Sequence, residues 1–313
     1  MSGAVSAPTA AAPAAVAPAA GFGDWMKSVQ AQTEDALGAF LPPADRTPSK
    51  LHEAMRYTVL GGGKRVRPLL AYASGELFGA DPDATARAAS AVEMIHAYSL
   101  VHDDMPCMDD DALRRGKPTV HVAYDEATAL LVGDALQAQA FEVLAGATSV
   151  PPARLVTMLR LLAEAAGSAG MCGGQAIDLD SVGISLSLDQ LERMHQLKTG
   201  AMLRVSILLG ALAGRELAAH EQEALAAYAR AIGLAFQVVD DVLDATADSA
   251  TLGKTAGKDA AANKPTYVSI LGLEPSKALA EQLRRQAHEA LAPFGEQALR
   301  LRELADLIVQ RKA

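Results

Sequence analysis

The sequence predicts an all-α protein, a single bundle of about ten or more helices, and three observations predict it. Half of the residues are hydrophobic while only 4% are aromatic, so a core must come from Ala, Leu, Val and Met, and Ala and Leu head the helix-propensity ranking. Apolar residues recur at helical spacing, as at Leu155, Met158, Leu159 and Leu162, whereas no strand-like alternation is long enough to build a sheet. The helical patterns are separated by short turn signals, with no repeat and no Pro/Gly/Ser linker to divide the 313 residues into two cores.

Taken in order, residues 1–20 are almost entirely Ala, Pro, Val, Gly and Ser. They lack a basic n-region and their prolines interrupt any apolar h-region, so they read as a disordered leader to a folded domain over 21–313. Thr47 ahead of Pro48 reads as an N-cap with proline at the first helical position. Asp81-Pro82-Asp83 opens a helix that runs towards Asp104 and must stop near Pro106. Another pattern follows His121 to about Ala145, and Pro151-Pro152 starts the next. Ser187 and Gln190 make a capping box, a long helix covers about Glu221 to Asp244, and one or two more fill the C-terminus. Gly200 of Lys198-Thr199-Gly200 stands inside a helical pattern, where glycine costs about 1 kcal/mol relative to alanine. Slack for helix pairing is one reading of it. A kink that turns backbone carbonyls into a site is the other.

A formal charge of −9 argues against a general nucleic-acid or anionic-membrane partner, since both need basic faces. Two cysteines, Cys107 and Cys172, are too few for a disulfide framework or a thiolate metal site and read as reduced thiols of a cytosolic enzyme. No run reaches the roughly 18 uncharged apolar residues of a membrane span; Met202 to Leu212 comes nearest and is interrupted by Arg204. A cytoplasmic protein without stable membrane insertion is the expectation.

The acidity is concentrated in two places. One is His102-Asp103-Asp104-Met105-Pro106-Cys107-Met108-Asp109-Asp110-Asp111, the other Asp240-Asp241-Val242-Leu243-Asp244. Asp240 and Asp244 are four apart and share a helical face. Asp103 and Asp104 end a helix that Pro106 breaks, which lets Asp109 fold back towards Asp103. Like charges repel, and both clusters lie in apolar helical patterns, so the carboxylates need a compensating cation. Magnesium fits, because it takes hard oxygen ligands, keeps waters and is shared with substrate phosphates. Either cluster alone reads as readily as a solvated acidic turn or a helix cap. Two of them, at the ends of apolar helices, weaken that reading. Neither has the alternating aspartates, glycine and distal glutamate of an EF-hand.

Carboxylates that hold magnesium imply an anionic substrate with cations of its own. Gly61-Gly62-Gly63-Lys64-Arg65-Val66-Arg67-Pro68 offers close backbone approach, a point charge at Lys64 and a bidentate fork at Arg67. It is not a Walker loop, since Arg65 stands where Ser or Thr is required. Arg114-Arg115 either neutralise the aspartates before them or bind diphosphate, and both roles can hold together. Lys254, Lys258 and Lys264, in a Gly/Ala/Thr-rich stretch, read as a mobile cationic lid. His96 alone reads as a core histidine.

The motifs GGGKRVRP at 61–68, HAYSLVHDDMPCMDDDALRRGKPT at 96–119, GGQAIDLD at 173–180, LKTG at 197–200 and FQVVDDVLDATADSATLGK at 236–254 resemble those of the trans-isoprenyl diphosphate synthases. Within that family the bacterial farnesyl diphosphate synthases are most similar, and the resemblance runs from Gly21 to Arg311-Lys312. It implies the isoprenoid synthase fold, helices around a deep central cavity, as a homodimer. It implies isopentenyl diphosphate and an allylic diphosphate as substrates, joined by ionisation, condensation and elimination. Three Mg2+ are implied, two on Asp103 and Asp109 and one on Asp240, with Asp104 and Asp244 supporting. The allylic diphosphate would meet Arg114, Lys198 and Lys254, and isopentenyl diphosphate Lys64, Arg67, His96 and Arg115. Thr199 and Gln237 would lie near the carbocation, and Lys264 would close over the site.

Tyr98, five residues before Asp103, lies about 7.5 Å along the helix axis from it, a depth of one or two prenyl units. There it would floor the cavity, so the expected product is C15 farnesyl diphosphate. The small Ser99 beside it departs from family members that block with two aromatics, and the Met-Pro-Cys-Met spacer also occurs in geranylgeranyl synthases, which makes C20 geranylgeranyl diphosphate the alternative. A terpene cyclase would not need Lys64, Arg67 and Arg115 for a second diphosphate. A non-catalytic regulatory subunit should have lost an aspartate cluster or the diphosphate lysines, and this chain retains them.

Overall fold

A computed structural model of the chain describes residues 21–246 and 265–311. The order is α1 (Phe22–Phe40), α2 (Ser49–Val59), α3 (Val66–Leu77), α4 (Pro82–Asp103), a hairpin of β1 (Leu113–Arg114) and β2 (Lys117–Pro118), α5 (Val120–Ala123) and α6 (Glu126–Ala145). There follow α7 (Pro152–Ala166), α8 (Met171–Asp180), α9 (Leu188–His195), a π-helical turn (Gln196–Gly200), α10 (Ala201–Gly214) and α11 (Ala219–Thr246). Last come α12 (Tyr267–Leu271), α13 (Leu273–Ala290), a 3-10 turn (Ala292–Ala298) and α14 (Leu299–Gln310). The expected all-α bundle is what forms, and β1–β2 is the one antiparallel pair among the described residues.

Several starts lie where capping chemistry puts them. The Asp81 carboxylate accepts from the Ala84 N–H at 3.1 Å ahead of Pro82, Asp125 does the same for Thr128 at 2.7 Å, and the Ser187–Gln190 box closes in both directions. The start of α2 differs from expectation. Pro48 has extended backbone and stands in the cap position itself, so Ser49 is the first helical residue and no side chain caps it.

α4 runs through the middle, packed along α6, α3 and α10. Its buried face is built of Ala84, Ala88, Ala91, Val92 and Ile95, and such small residues let neighbouring helices come close. Gly210 does the same for α10 against α3: a Cβ there would lie 2.0 Å from the Ala71 carbonyl oxygen. Arg65 is buried at the start of α3, where it ion-pairs with Glu93 at 2.6 Å and with Glu34 at 2.5 Å. It therefore fastens α1, α3 and α4 together while its neighbours Lys64 and Arg67 face elsewhere. Two stretches, 152–180 and 188–214, are long and apolar enough by composition to cross a membrane. The first is broken between α7 and α8, and 67% of the apolar window of the second is buried inside the bundle.

Candidate active site

Beyond Asp103 the chain turns back on itself. The Asp109 N–H donates to the Asp103 carbonyl at 2.8 Å, and the N–H groups of Asp110 and Asp111 donate to Met105 and Asp104 at 3.2 and 3.1 Å. Asp110 has a φ of 51°, a left-handed conformation that aspartate tolerates better than most residues. Asp109 thus returns to Asp103 as the sequence suggests. Burial pushes the Asp103 carboxyl up to about 6; Lys198 opposes the rise, and Asp109 and Asp104 add to it.

Asp104 has a different neighbour. It is 3% exposed and accepts a fork from Arg114, with Nε at 2.9 and 2.8 Å from its two oxygens and Nη2 at 2.5 Å from one of them. Of the two roles open to Arg114, this geometry fills the neutralising one. Arg115, at a φ of 53°, crosses to the glycine turn and donates Nη1 to the Gly62 carbonyl at 2.8 Å. A Cβ on Gly63 would sit 2.6 Å from that nitrogen, and the Gly63 φ of 136° is one that glycine alone adopts readily.

Lys64, Arg67, His96 and Arg115 come together at this junction. Burial lowers Lys64, and the charges of Arg311 and Arg115 lower it further, against Asp240. Burial also lowers Arg67, whose Nε is enclosed without a hydrogen-bond partner among the described residues. Burial first, then the cations Arg67 and Arg115, hold His96 well below the usual imidazole value, so its ring is neutral at physiological pH. Beside them a cleft of about 100 Å³ is lined by Gly61, Gly62, His96, Asp104, Arg114 and Arg115 among others.

The second cluster is split by helical periodicity. Asp240 and Asp244 share a face of α11, and Asp241 points away, buried, with Oδ2 accepting from the Tyr267 N–H at 2.7 Å. Asp240 accepts from Arg311 Nη2 at 2.6 Å. The same nitrogen donates to the Phe236 carbonyl at 2.7 Å, and the guanidinium lies 3.9 Å over the Phe236 ring.

Both readings of Gly200 have a counterpart: it ends a π-helical turn, and a Cβ on Gly233 of α11 would lie 3.1 Å from its Cα, so glycine also lets the two helices pack closely. The turn projects Lys198 towards Asp178 of α8, Nζ to Oδ2 2.6 Å. The Thr199 hydroxyl donates to Gln237 Oε1 at 2.9 Å, and Gln237 Nε2 faces His195 Nδ1 at 3.3 Å. The His195 ring stacks on Tyr267 with centroids 5.6 Å apart. Burial, helped by Lys198 and opposed by Asp178, lowers His195 to about 4.

Tyr98 is buried on α4, its hydroxyl 3.4 Å from Cys172 Sγ, and Ser99 donates its hydroxyl to the His96 carbonyl at 2.9 Å. Lys254, Lys258 and Lys264 lie outside the described residues. Sequence reasoning did not assign Asp178, His195, Tyr267 or Arg311. Asp178 lies in the GGQAIDLD motif and Arg311 in the basic tail, which were signals to follow; His195 and Tyr267 carry none. Among the described residues no three carboxylate, imidazole or thiol groups gather into a ready-made metal cage.

The sequence pattern of the polyprenyl synthetase family matches residues 48–298. The farnesyl diphosphate synthase of Escherichia coli is 46% identical over 93% of this chain and 99% of its own. The large subunit 1 of a heterodimeric chloroplast geranylgeranyl pyrophosphate synthase of Arabidopsis thaliana is 50% identical over 92% and 80%. Among solved structures, an FPP/GFPP synthase from Zymomonas mobilis superposes with a TM-score of 0.83 at 44% identity, covering 92% of this chain and 98% of that one. Geometry, family pattern and end-to-end relatives agree, and the chain belongs to the polyprenyl synthetase family.

Proposed function

We propose that the protein is a magnesium-dependent prenyltransferase that joins isopentenyl diphosphate to dimethylallyl or geranyl diphosphate and stops at farnesyl diphosphate. One observation carries this reading: the Arg67 Nε is buried with no hydrogen-bond partner among the described residues, beside Lys64, Arg115 and a neutral His96. Burying an unmet charged donor is costly, and a diphosphate oxygen is the group that would meet it. A second anion site for isopentenyl diphosphate is what separates such an enzyme from a cyclase.

The carboxylates fit magnesium. Asp103 is raised to about 6 by burial and acidic neighbours, and a dication at the site would remove that penalty. The lack of a closed cage suits an ion that takes one or two carboxylates and shares the rest of its shell with water and phosphate. Asp103 and Asp109 would hold two ions and Asp240 a third, with Asp244 beside it and Asp104 acting through Arg114. When bound, the metal would neutralise charge building on the departing diphosphate.

The chain's own residues do the rest. Lys198, aimed by Asp178, places a positive charge next to Asp103 where the allylic diphosphate would leave. Lys64, Arg67, His96 and Arg115 hold the second diphosphate so that its double bond faces the allylic carbon. Thr199 and Gln237 would lie near the cation that forms, and the released pyrophosphate takes the proton that completes the new double bond. Tyr98 stops the chain at C15. Bacterial relatives named farnesyl diphosphate synthase match along most of the chain and support C15 over C20, although geranylgeranyl relatives match as well; Tyr98 is the residue that would set the length. The reading takes the protein to be a cytoplasmic homodimer with no nucleic-acid partner and no stable membrane insertion.

The test is product analysis with radiolabelled isopentenyl diphosphate and either primer, with and without magnesium. A magnesium-dependent C15 product is expected. A C20 product would remove the role of Tyr98 and keep the mechanism; no condensation by folded protein would overturn the enzyme reading.

A further inference from the structure

Tyr98 is held at its tip as well as along its ring. Its hydroxyl lies 3.4 Å from Cys172 Sγ of α8. The ring meets His102 edge to face, with centroids 5.9 Å apart and planes at 78°. His102 is itself fixed, with Nε2 at 3.1 Å from the Leu130 carbonyl. Gly133 makes room for it, because a Cβ there would lie 2.0 Å from that nitrogen. Tyr98 of α4 is therefore held by α8 directly and by α6 through His102.

A ring held only by its faces can swing to another staggered rotamer when a growing chain presses on it, and such hops are fast where space allows. A ring tied by its hydroxyl to another helix must break that bond first. We propose that product length is set by this clamp: Cys172 is a specificity-determining residue that acts through Tyr98, fixing the rotamer that closes the cavity. Ring bulk alone does not close it. This inference rests on the reading of Tyr98 as the floor, given above.

Tyr98→Phe tests it directly, since it keeps the ring and removes only the hydroxyl. The full-length chain is assayed with geranyl diphosphate and labelled isopentenyl diphosphate, and products are separated by length. The ratio of C20 to C15 is expected to rise on the order of tenfold in Y98F, the change that losing a hydrogen bond of ordinary strength gives. Cys172→Ala is expected to shift the ratio the same way. The double variant should match Y98F, because without the hydroxyl Cys172 has nothing to hold. An unchanged ratio in Y98F overturns the clamp, as does a double variant in which the two effects add. A wild-type product that is already C20 overturns the C15 assignment instead, and the clamp is then read from whether Y98F lengthens that product further. A readout free of turnover is alkylation of Cys172 by N-ethylmaleimide in a Cys107→Ser background. Cys172 is already exposed; Y98F should release its thiol from the contact with the phenol and speed the reaction, and equal rates count against the proposal.

Discussion

The Asp178 carboxylate, 7% exposed, lies 2.6 Å from the Lys198 ammonium and fixes where that charge points. Asp178→Asn keeps the shape and removes the charge, leaving a flexible four-carbon side chain free to move towards Asp103. Because a displacement of about 1 Å at a reacting centre can cost a hundredfold, D178N should lower kcat on the order of tenfold to a hundredfold. Its circular dichroism should stay that of the wild type, and a kcat within threefold of wild type would refute the role. His195 makes a second prediction, on stability. With its pKa lowered from 6.5 to about 4, the ring is neutral in both states above pH 6.5 and contributes no pH dependence there. Between 6.5 and about 4 only the unfolded chain takes up the proton, so stability falls as pH falls; below 4 both states carry it and the dependence ends. At about 1.36 kcal/mol for each pH unit the loss is on the order of 3 kcal/mol. In the metal-free protein Asp103, raised to about 6, acts with the opposite sign. The comparison is therefore between urea melts of wild type and His195→Gln across this range. The two should diverge as pH falls from 6.5, and parallel curves would show that His195 is not the group responsible.

Among the elements, the π-helical turn at Gln196–Gly200 places Lys198 and Thr199 side by side, one on Asp178 and the other on Gln237. α8 packs against this turn through a glycine: a Cβ on Gly174 would meet the Lys198 backbone nitrogen at 2.1 Å. Nothing flexible lies there to give way, so Gly174→Ala must push α8 and the turn apart. Overpacking of this kind costs about 1–3 kcal/mol, and it should reduce kcat because it moves both side chains together. Gly38→Ala on α1 is the control, with no atom within 4 Å of the added carbon, and should leave stability unchanged or raise it by up to about 1 kcal/mol. Urea melts and kcat of the two variants decide the matter, and equal behaviour would count against the turn as the device that aligns the pair.

For the molecule as a whole, what could be read from the sequence follows the distance over which each signal acts. Asp240 and Asp244 were legible because four residues are one helical turn, and Asp109 because Pro106 has to end the helix. The fold class was legible for the same reason, since helices report themselves through local spacing. Arg311 on Asp240, Lys198 on Asp178 and Gln237 on His195 are separated by 71, 20 and 42 residues, and no periodicity links such pairs; only the packed bundle does. Arg65 shows the same limit from the other side, for it sits between two site residues and turns instead into the ion pairs that fasten α1 and α4. A site assembled from both ends of the chain couples its occupancy to the stability of the whole. Lys64 and Arg311, far apart in the chain, repel one another there, and among the described residues the carboxylates do not form a cage alone. Magnesium by itself should therefore bind weakly and inorganic pyrophosphate by itself only moderately, while each completes the shell of the other. Thermal melts with magnesium, with pyrophosphate and with both should show a shift for the pair larger than the sum of the single shifts. At about a hundredfold excess over Kd the stabilisation is about 2.7 kcal/mol. Asp103→Asn should bring the combined shift down towards the pyrophosphate value. If magnesium alone gave the full shift, the metal sites would exist without a phosphate partner, and the shared-shell account of the two aspartate clusters would fail.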